Sequence, residues 1–201
     1  MRFDEAFSAA VSARVSAIER QTDAEIVVVA VARADDWDDR SELFAAVLTL
    51  ALGGALLFAP FVLHPAGFFV DLVVGWALLR WIGGRASVLR WITTARERHQ
   101  RVEMAAKRIF VEEAVHGTPN RTGVLVLVAG LEREVALVPD LGAAGCVPAG
   151  ELVAARDAFR QDDLTHLLTG LDALGAALAR HVPWTPASDA VDLPNAPRVR
   201  A

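Results

Sequence analysis

The sequence predicts an α/β sandwich built on a small mixed sheet and interrupted by a transmembrane helical hairpin. Three observations carry that reading. Residues 43–63 form a run of 21 without a charge. Two short β-branched runs, 25–32 and 123–129, have the continuous apolar character of strands covered on both faces. Around them, apolar residues recur at helical spacing, so the strands have partners to bury them. The order of elements is α-β, hairpin, α-β-β-α-α, a layered α/β arrangement.

Composition bounds the rest. The chain has 201 residues, 54% of them apolar, a net charge of −5 and one cysteine. That length holds one modest globular domain plus membrane spans. The acidic balance argues against nucleic acid as a partner. Cys146 alone permits neither an internal disulfide nor a cysteine-based metal site. The opening residues, MRFDEAFSAAV, place acids where a signal peptide has its basic region, so no such peptide is expected there.

In chain order, Phe3, Phe7, Val11, Val15 and Ile18 form one stripe of an amphipathic helix. Residues 21–24 break the period, and Glu25 to Ala32 is the first strand. A polar connector, 32–40, completes the first part of the α/β domain, residues 1–40. The hairpin occupies 41–82. Its first span, Leu43 to Leu63, is about 31 Å long as a helix, against a hydrocarbon core of about 30 Å. Its seven Leu, three Phe and two Val favour insertion by about 4 to 7 kcal/mol. His64-Pro65 is a minimal turn, because Pro lacks a donor and disfavours helix at the residue before it. The second apolar stretch runs from Ala66 to Ile82, with Trp76, Arg80 and Trp81 suited to the far interface. The alternative is a single span followed by a buried core helix.

Asp71 is the costly residue of that stretch. A carboxylate at mid-membrane costs roughly 2.5–3.5 kcal/mol, and less near an interface. It reads either as a proton or ion site, or oligomer glue, or as a residue near the headgroups facing the partner helix or water. Orientation follows from the basic residues. Arg80, Arg85, Arg90, Arg96, Arg98 and Arg101 flank the exit, Arg33 and Arg40 the entry, and none lies in the loop. Both ends are therefore expected in the cytoplasm of a bacterial inner-membrane protein. Residues 83–98 form a juxtamembrane segment in which Trp81, Ile82, Val88, Leu89 and Ile92 share a face. That pattern suits a membrane surface or a linker helix.

The second part of the α/β domain covers 99–182. Val102, Ala105, Ala106, Ile109 and Phe110 give a helical face. Gly123 to Ala129 is a strand, and Arg133 to Val138 a third, antiparallel to it. The Gly-rich stretch 140–145 reads as a loop. Helices follow at about Glu151–Phe159 and Asp163–Val182, the latter striped by Leu164, Leu167, Leu168, Leu171, Leu174 and Leu178. Residues 183–201 are Pro-rich and unpatterned, and a disordered tail is expected.

Several phrases resemble the TPM-domain family. They are Ile18-Glu19 leading to Thr22-Asp23-Ala24-Glu25-Ile26-Val27-Val28-Val29, then Arg121-Thr122-Gly123-Val124-Leu125, Glu132-Arg133-Glu134-Val135 and Asp140-Leu141-Gly142. The resemblance spans about residues 4–182 and is to the bacterial, membrane-inserted subset. It implies an α/β/α sandwich. The family includes thylakoid proteins linked to photosystem II repair and bacterial membrane-tethered proteins. Some members are acid phosphatases and some bind calcium. Many carry a signal peptide and a C-terminal span, whereas here the spans interrupt the domain.

The residues themselves offer little chemistry. There is no Asp-x-Asp pair, no C-x5-R loop and no histidine cluster at metal spacing. Asp140, just past a strand end and beside Gly142 and Gly145, is the best candidate, with Glu25 at the start of another strand. Two carboxylates and loop carbonyls suit calcium or magnesium. The competing reading has Asp140 capping a turn and Glu25 solvated. His99–Glu103 and Glu112–His116 read as solvated helix pairs. GTPNRTG lacks the lysine of a P-loop, and Cys146 reads as structural. The expectation is a non-enzymatic scaffold or quality-control factor, held in the lipid bilayer and bound to a protein partner. The alternative is a divalent-metal-dependent acid phosphatase. A transport accessory using Asp71 is a third class.

Overall fold

The computed structural model describes residues 3–58, 64–159, 164–185 and 196–200. The chain divides into two compact units, Met1–Asp35 with Arg98–Ala201, and Asp36–Glu97.

The first unit is mixed α/β. Helix α1 (Glu5–Glu19) starts at Asp4, whose Oδ1 accepts the Phe7 N–H at 3.0 Å, an N-cap that satisfies an otherwise orphaned donor. It buries Phe7, Val11, Val15 and Ile18, the stripe that the spacing predicts. Strand β1 (Ile26–Val31) is buried at every position. The chain returns to this unit through α5 (Ala95–Glu112) and a 3-10 turn, Val115–Gly117. Strands β2 (Val124–Ala129) and β3 (Glu134–Pro139) follow. Then come α6 (Leu141–Cys146), α7 (Ala149–Ala158), α8 (Leu164–His181) and β4 (Arg198–Arg200).

The sheet order is β3-β2-β1-β4. β1 pairs parallel with β2, Ile26 opposite Val124, and β2 pairs antiparallel with β3, Val124 opposite Pro139. Because side chains alternate along a strand, each face collects its own core. Ile26, Val28, Ala30, Val124, Val126 and Val128 pack with the stripes of α1 and α8. Val27, Val29, Val31, Leu125, Leu127 and Ala129 pack with Val102, Ala105, Ala106 and Ile109 of α5. Helices therefore lie on both faces, which is why β1 and β2 read as unbroken apolar runs.

Three local expectations change. The Gly-rich stretch 140–145 is a helix, α6, because the Asp140 side chain caps it by accepting the Leu141 N–H at 2.8 Å. α5 ends at Glu112, so Glu112 and His116 are not a helical pair. Glu112 bonds Arg200, and the His116 ring lies against Phe110, centroids 6.2 Å apart. Within the tail 183–201, expected to be disordered, Pro183 bridges Thr22, the Asp23 carboxylate accepts two hydrogen bonds from Thr185, and Arg198–Arg200 adds a fourth strand parallel to β1. Residues 186–195 and 201 of that tail lie outside the described residues.

The second unit contains α2 (Asp38–Leu57), α3 (Pro65–Gly83) and α4 (Ala86–Ile92). α2 begins earlier than the apolar run does, with Asp38 and Asp39 in its first turn, where the helix dipole favours acids. Residues 59–63, where the first span was expected to end, lie outside the described residues. His64 caps α3 by accepting the Ala66 N–H, and Pro65 takes the first helical position. α2 and α3 run antiparallel. Gly53 meets Leu72, Gly75 meets Leu52, Gly83 meets Phe44 and Ser41, and Arg80 bonds Asp38 at 2.8 Å. Both helices are long and apolar enough to cross a membrane, and only 17% and 6% of their apolar windows are buried. In α4, Leu89 is buried while Trp91 is exposed, and the Arg85 guanidinium sits 4.0 Å from the Trp81 ring centroid.

Candidate functional site

The parallel and antiparallel registers put Glu25, Gly123 and Asp140 in one row at the same end of the sheet. The Val124 N–H donates to the Glu25 carbonyl, and the Asp140 N–H donates to the Gly123 carbonyl, each at 2.8 Å. Sequence reasoning paired Asp140 with Glu25, and the backbone does align them. The carboxylate of Asp140 is committed elsewhere. Arg121 Nε donates to its Oδ2 at 2.6 Å and Arg121 Nη2 to its Oδ1 at 2.8 Å, a two-pronged charge-assisted pair. Oδ1 also accepts the Leu141 N–H.

The Asp140 side chain is 2% exposed, whereas Arg121 is half in solvent. The Arg121 hydrogen bonds hold the Asp140 carboxyl below the usual carboxylate range, outweighing burial, with help from the Leu141 N–H. The same contact raises the Arg121 guanidinium. A cation would have to displace Arg121 to reach both oxygens. Among the described residues there is no group of three or more His, Cys, Asp or Glu placed to hold a metal ion.

Arg121 is the residue that sequence reasoning missed. It adopts a left-handed backbone, φ 56°. That conformation turns its carbonyl towards α6, where it accepts the Gly142 N–H at 2.8 Å and the Ala143 N–H at 3.3 Å. A Cβ on Gly142 would lie 2.2 Å from the Asn120 carbonyl oxygen, so only glycine permits this approach. The side chain and the carbonyl of one residue thus fix both the cap and the first turn of α6.

The other quoted phrases are also structural ties. Thr22 bonds the Val182 carbonyl, and the Thr122 hydroxyl donates to the Asp23 carbonyl at 2.9 Å. Glu132, almost fully buried, accepts the Ala34 N–H with both carboxylate oxygens at 3.1 Å. The Glu19 carboxylate accepts the Ile26 N–H at 3.0 Å. His99 lies 3.4 Å from Glu103 and 3.6 Å from Glu134. Asp71 is exposed on α3, and Cys146 is exposed at the end of α6.

No family model matches the chain, and no curated protein matches it. Among solved structures, the fold is similar to that of the BA42 protein from the psychrophilic bacterium Bizionia argentinensis, determined by NMR. The TM-score is 0.55 at 17% identity, over 99% of this chain and 97% of that one. At that identity the likeness shows the fold alone.

Proposed function

We propose that this chain is a membrane-anchored, TPM-like α/β module that acts as a non-enzymatic scaffold or quality-control factor, with its α/β unit in the bacterial cytoplasm. One observation carries the anchoring. α2 and α3 turn apolar side chains outward, with Leu50 79%, Phe69 66% and Val73 66% exposed. A core helix of a soluble protein hides such residues; a hairpin in lipid presents them. Arg80 then sits at the polar end, bonded to Asp38, and Arg85 and Arg90 follow it in the chain.

The non-enzymatic part rests on Asp140. A metal-dependent phosphatase of the TPM type needs an available carboxylate, and this one is held by Arg121 and capping α6. The reading is tested by alkaline carbonate extraction of membranes from cells expressing the chain. The wild type should stay with the membrane. Leu50→Arg with Val73→Arg should release a large share of the protein into the supernatant, since each cation costs roughly 2.5–3.5 kcal/mol at mid-bilayer. Full release of the wild type would refute the anchor.

A further inference from the structure

The fourth strand is held by charge rather than by apolar burial. Arg198, Val199 and Arg200 lie parallel to β1 opposite Val29, Ala30 and Val31, and the Ala32 N–H donates to the Arg200 carbonyl at 3.4 Å. Alternation sends Val199 to one side, where it is half exposed. It sends both arginines to the other side, towards the end of α5. There Arg198 pairs with Glu113, and Arg200 pairs with Glu113 and with Glu112, the last at 2.6 Å.

Glu113 is the decisive group. Its side chain is only 7% exposed, yet it takes both arginines. With both arginines over it Glu113 is shielded from water, and removing them leaves two neighbouring carboxylates, Glu112 and Glu113, with unmatched negative charge that favours a replacement cation. Without β4, β1 also becomes an edge strand with open N–H and C=O groups, the template for strand addition. With β4 withdrawn, the site is an open ladder beside the Glu113 carboxylate, with Glu112 next to it.

We propose that the β1 edge together with Glu112 and Glu113 is a docking site for an extended segment carrying arginine at alternate positions, Arg-x-Arg, and that residues 198–200 are its resident occupant in cis. The backbone ladder supplies affinity without regard to sequence. The two-residue spacing of the arginines supplies selectivity, because a strand puts only alternate residues on the α5 side. A partner bearing such a segment competes with the tail. This inference goes beyond the scaffold reading and stands whether or not α2 and α3 enter a bilayer.

The test uses the full chain in detergent, a chain ending at Asn195, and a fluorescein-labelled peptide of residues 194–201, PNAPRVRA. Anisotropy should show saturable binding to the shortened chain. The full chain should bind about tenfold more weakly or worse, because its own tail is present at an effective concentration of order millimolar. The peptide PNAPRRVA, which has the same charge with adjacent arginines, should lose most of the affinity. Glu113→Gln in the shortened chain should weaken binding of PNAPRVRA about tenfold or more. Equal binding of the two peptides, or equal binding to full and shortened chains, would overturn the proposal. Should the shortened chain fail to fold by circular dichroism, full-length Arg198→Ala/Arg200→Ala replaces it. That variant should bind PNAPRVRA more tightly than the wild type does, and no gain overturns the proposal.

Discussion

At the scale of single residues, Asp140 shows how a site-like carboxylate becomes a structural one. Its folded pKa is lowered, chiefly by Arg121. The unfolded chain therefore binds the proton more readily, and stability due to this group is complete above the ordinary carboxylate value of about 3.9. It fades as pH falls through the lower folded value. Asp140→Asn should flatten the acid limb below about pH 4 in a plot of urea midpoint against pH, while Arg121→Ala should lower the midpoint at neutral pH. Calcium or magnesium at a hundred times Kd would add about 2.7 kcal/mol to the melting of a metal-binding chain. With Arg121 on both oxygens we expect no rise, and a rise abolished by Asp140→Asn would favour the phosphatase reading. Gly142→Ala drives a Cβ into the Asn120 and Arg121 carbonyls, and a loss of about 1–3 kcal/mol in urea unfolding is expected. None of this was visible in the sequence, where Asp140 next to glycines looks the same as a cap or a ligand. Its partner sits 19 residues away in a loop with no pattern.

At the scale of elements, periodicity was the reliable signal. The stripes of α1, α5 and α8 and the runs of β1 and β2 are set by apolar burial, which hydropathy reports directly. Leu171, fully buried against the sheet, belongs to this class, and Leu171→Ala should cost about 2–5 kcal/mol. β4 was illegible for the opposite reason. It is three residues long with an exposed valine between two arginines, and its partners Glu112 and Glu113 lie far back in the chain. Charge pairs at such separation leave no local period. α6 was missed because glycine signals a loop whenever the close approach it serves is out of view. Pairing also has an order. A chain starting at Thr94 lacks α1 and β1, leaving the β2 edge and the apolar side of α8 uncovered. It should show no cooperative melt, and one at the temperature of the whole protein would refute the interdependence of the two segments.

At the scale of the whole molecule, topology is the prediction with the widest reach. Cys146 is exposed, so its labelling reports which side of the membrane the α/β unit occupies. In intact cells an impermeant maleimide should leave it unmodified, and permeabilisation should allow reaction. Rapid labelling of intact cells would invert the orientation drawn from the arginines, without touching the anchoring itself. The mixed sheet and its helical layers were legible as a class. The docking of residues 198–200 onto that sheet was not, since it depends on contacts with β1 and with Glu112 and Glu113, far back in the chain.

The pairing of β1 with β2 also sets a timetable. Ile26 lies opposite Val124, about a hundred residues further along, and at ~5–20 residues per second a ribosome needs roughly 5–20 s to supply the missing strand. During that interval the first strand has emerged, fully apolar, with α1 for one face but no strand on either edge, while the two apolar helices are made next. If those helices engage the insertion machinery, the nascent strand waits at the membrane rather than in the open cytosol. Biogenesis and protection from aggregation then become one event. Residues 198–200, made later still, then cover the other side of β1.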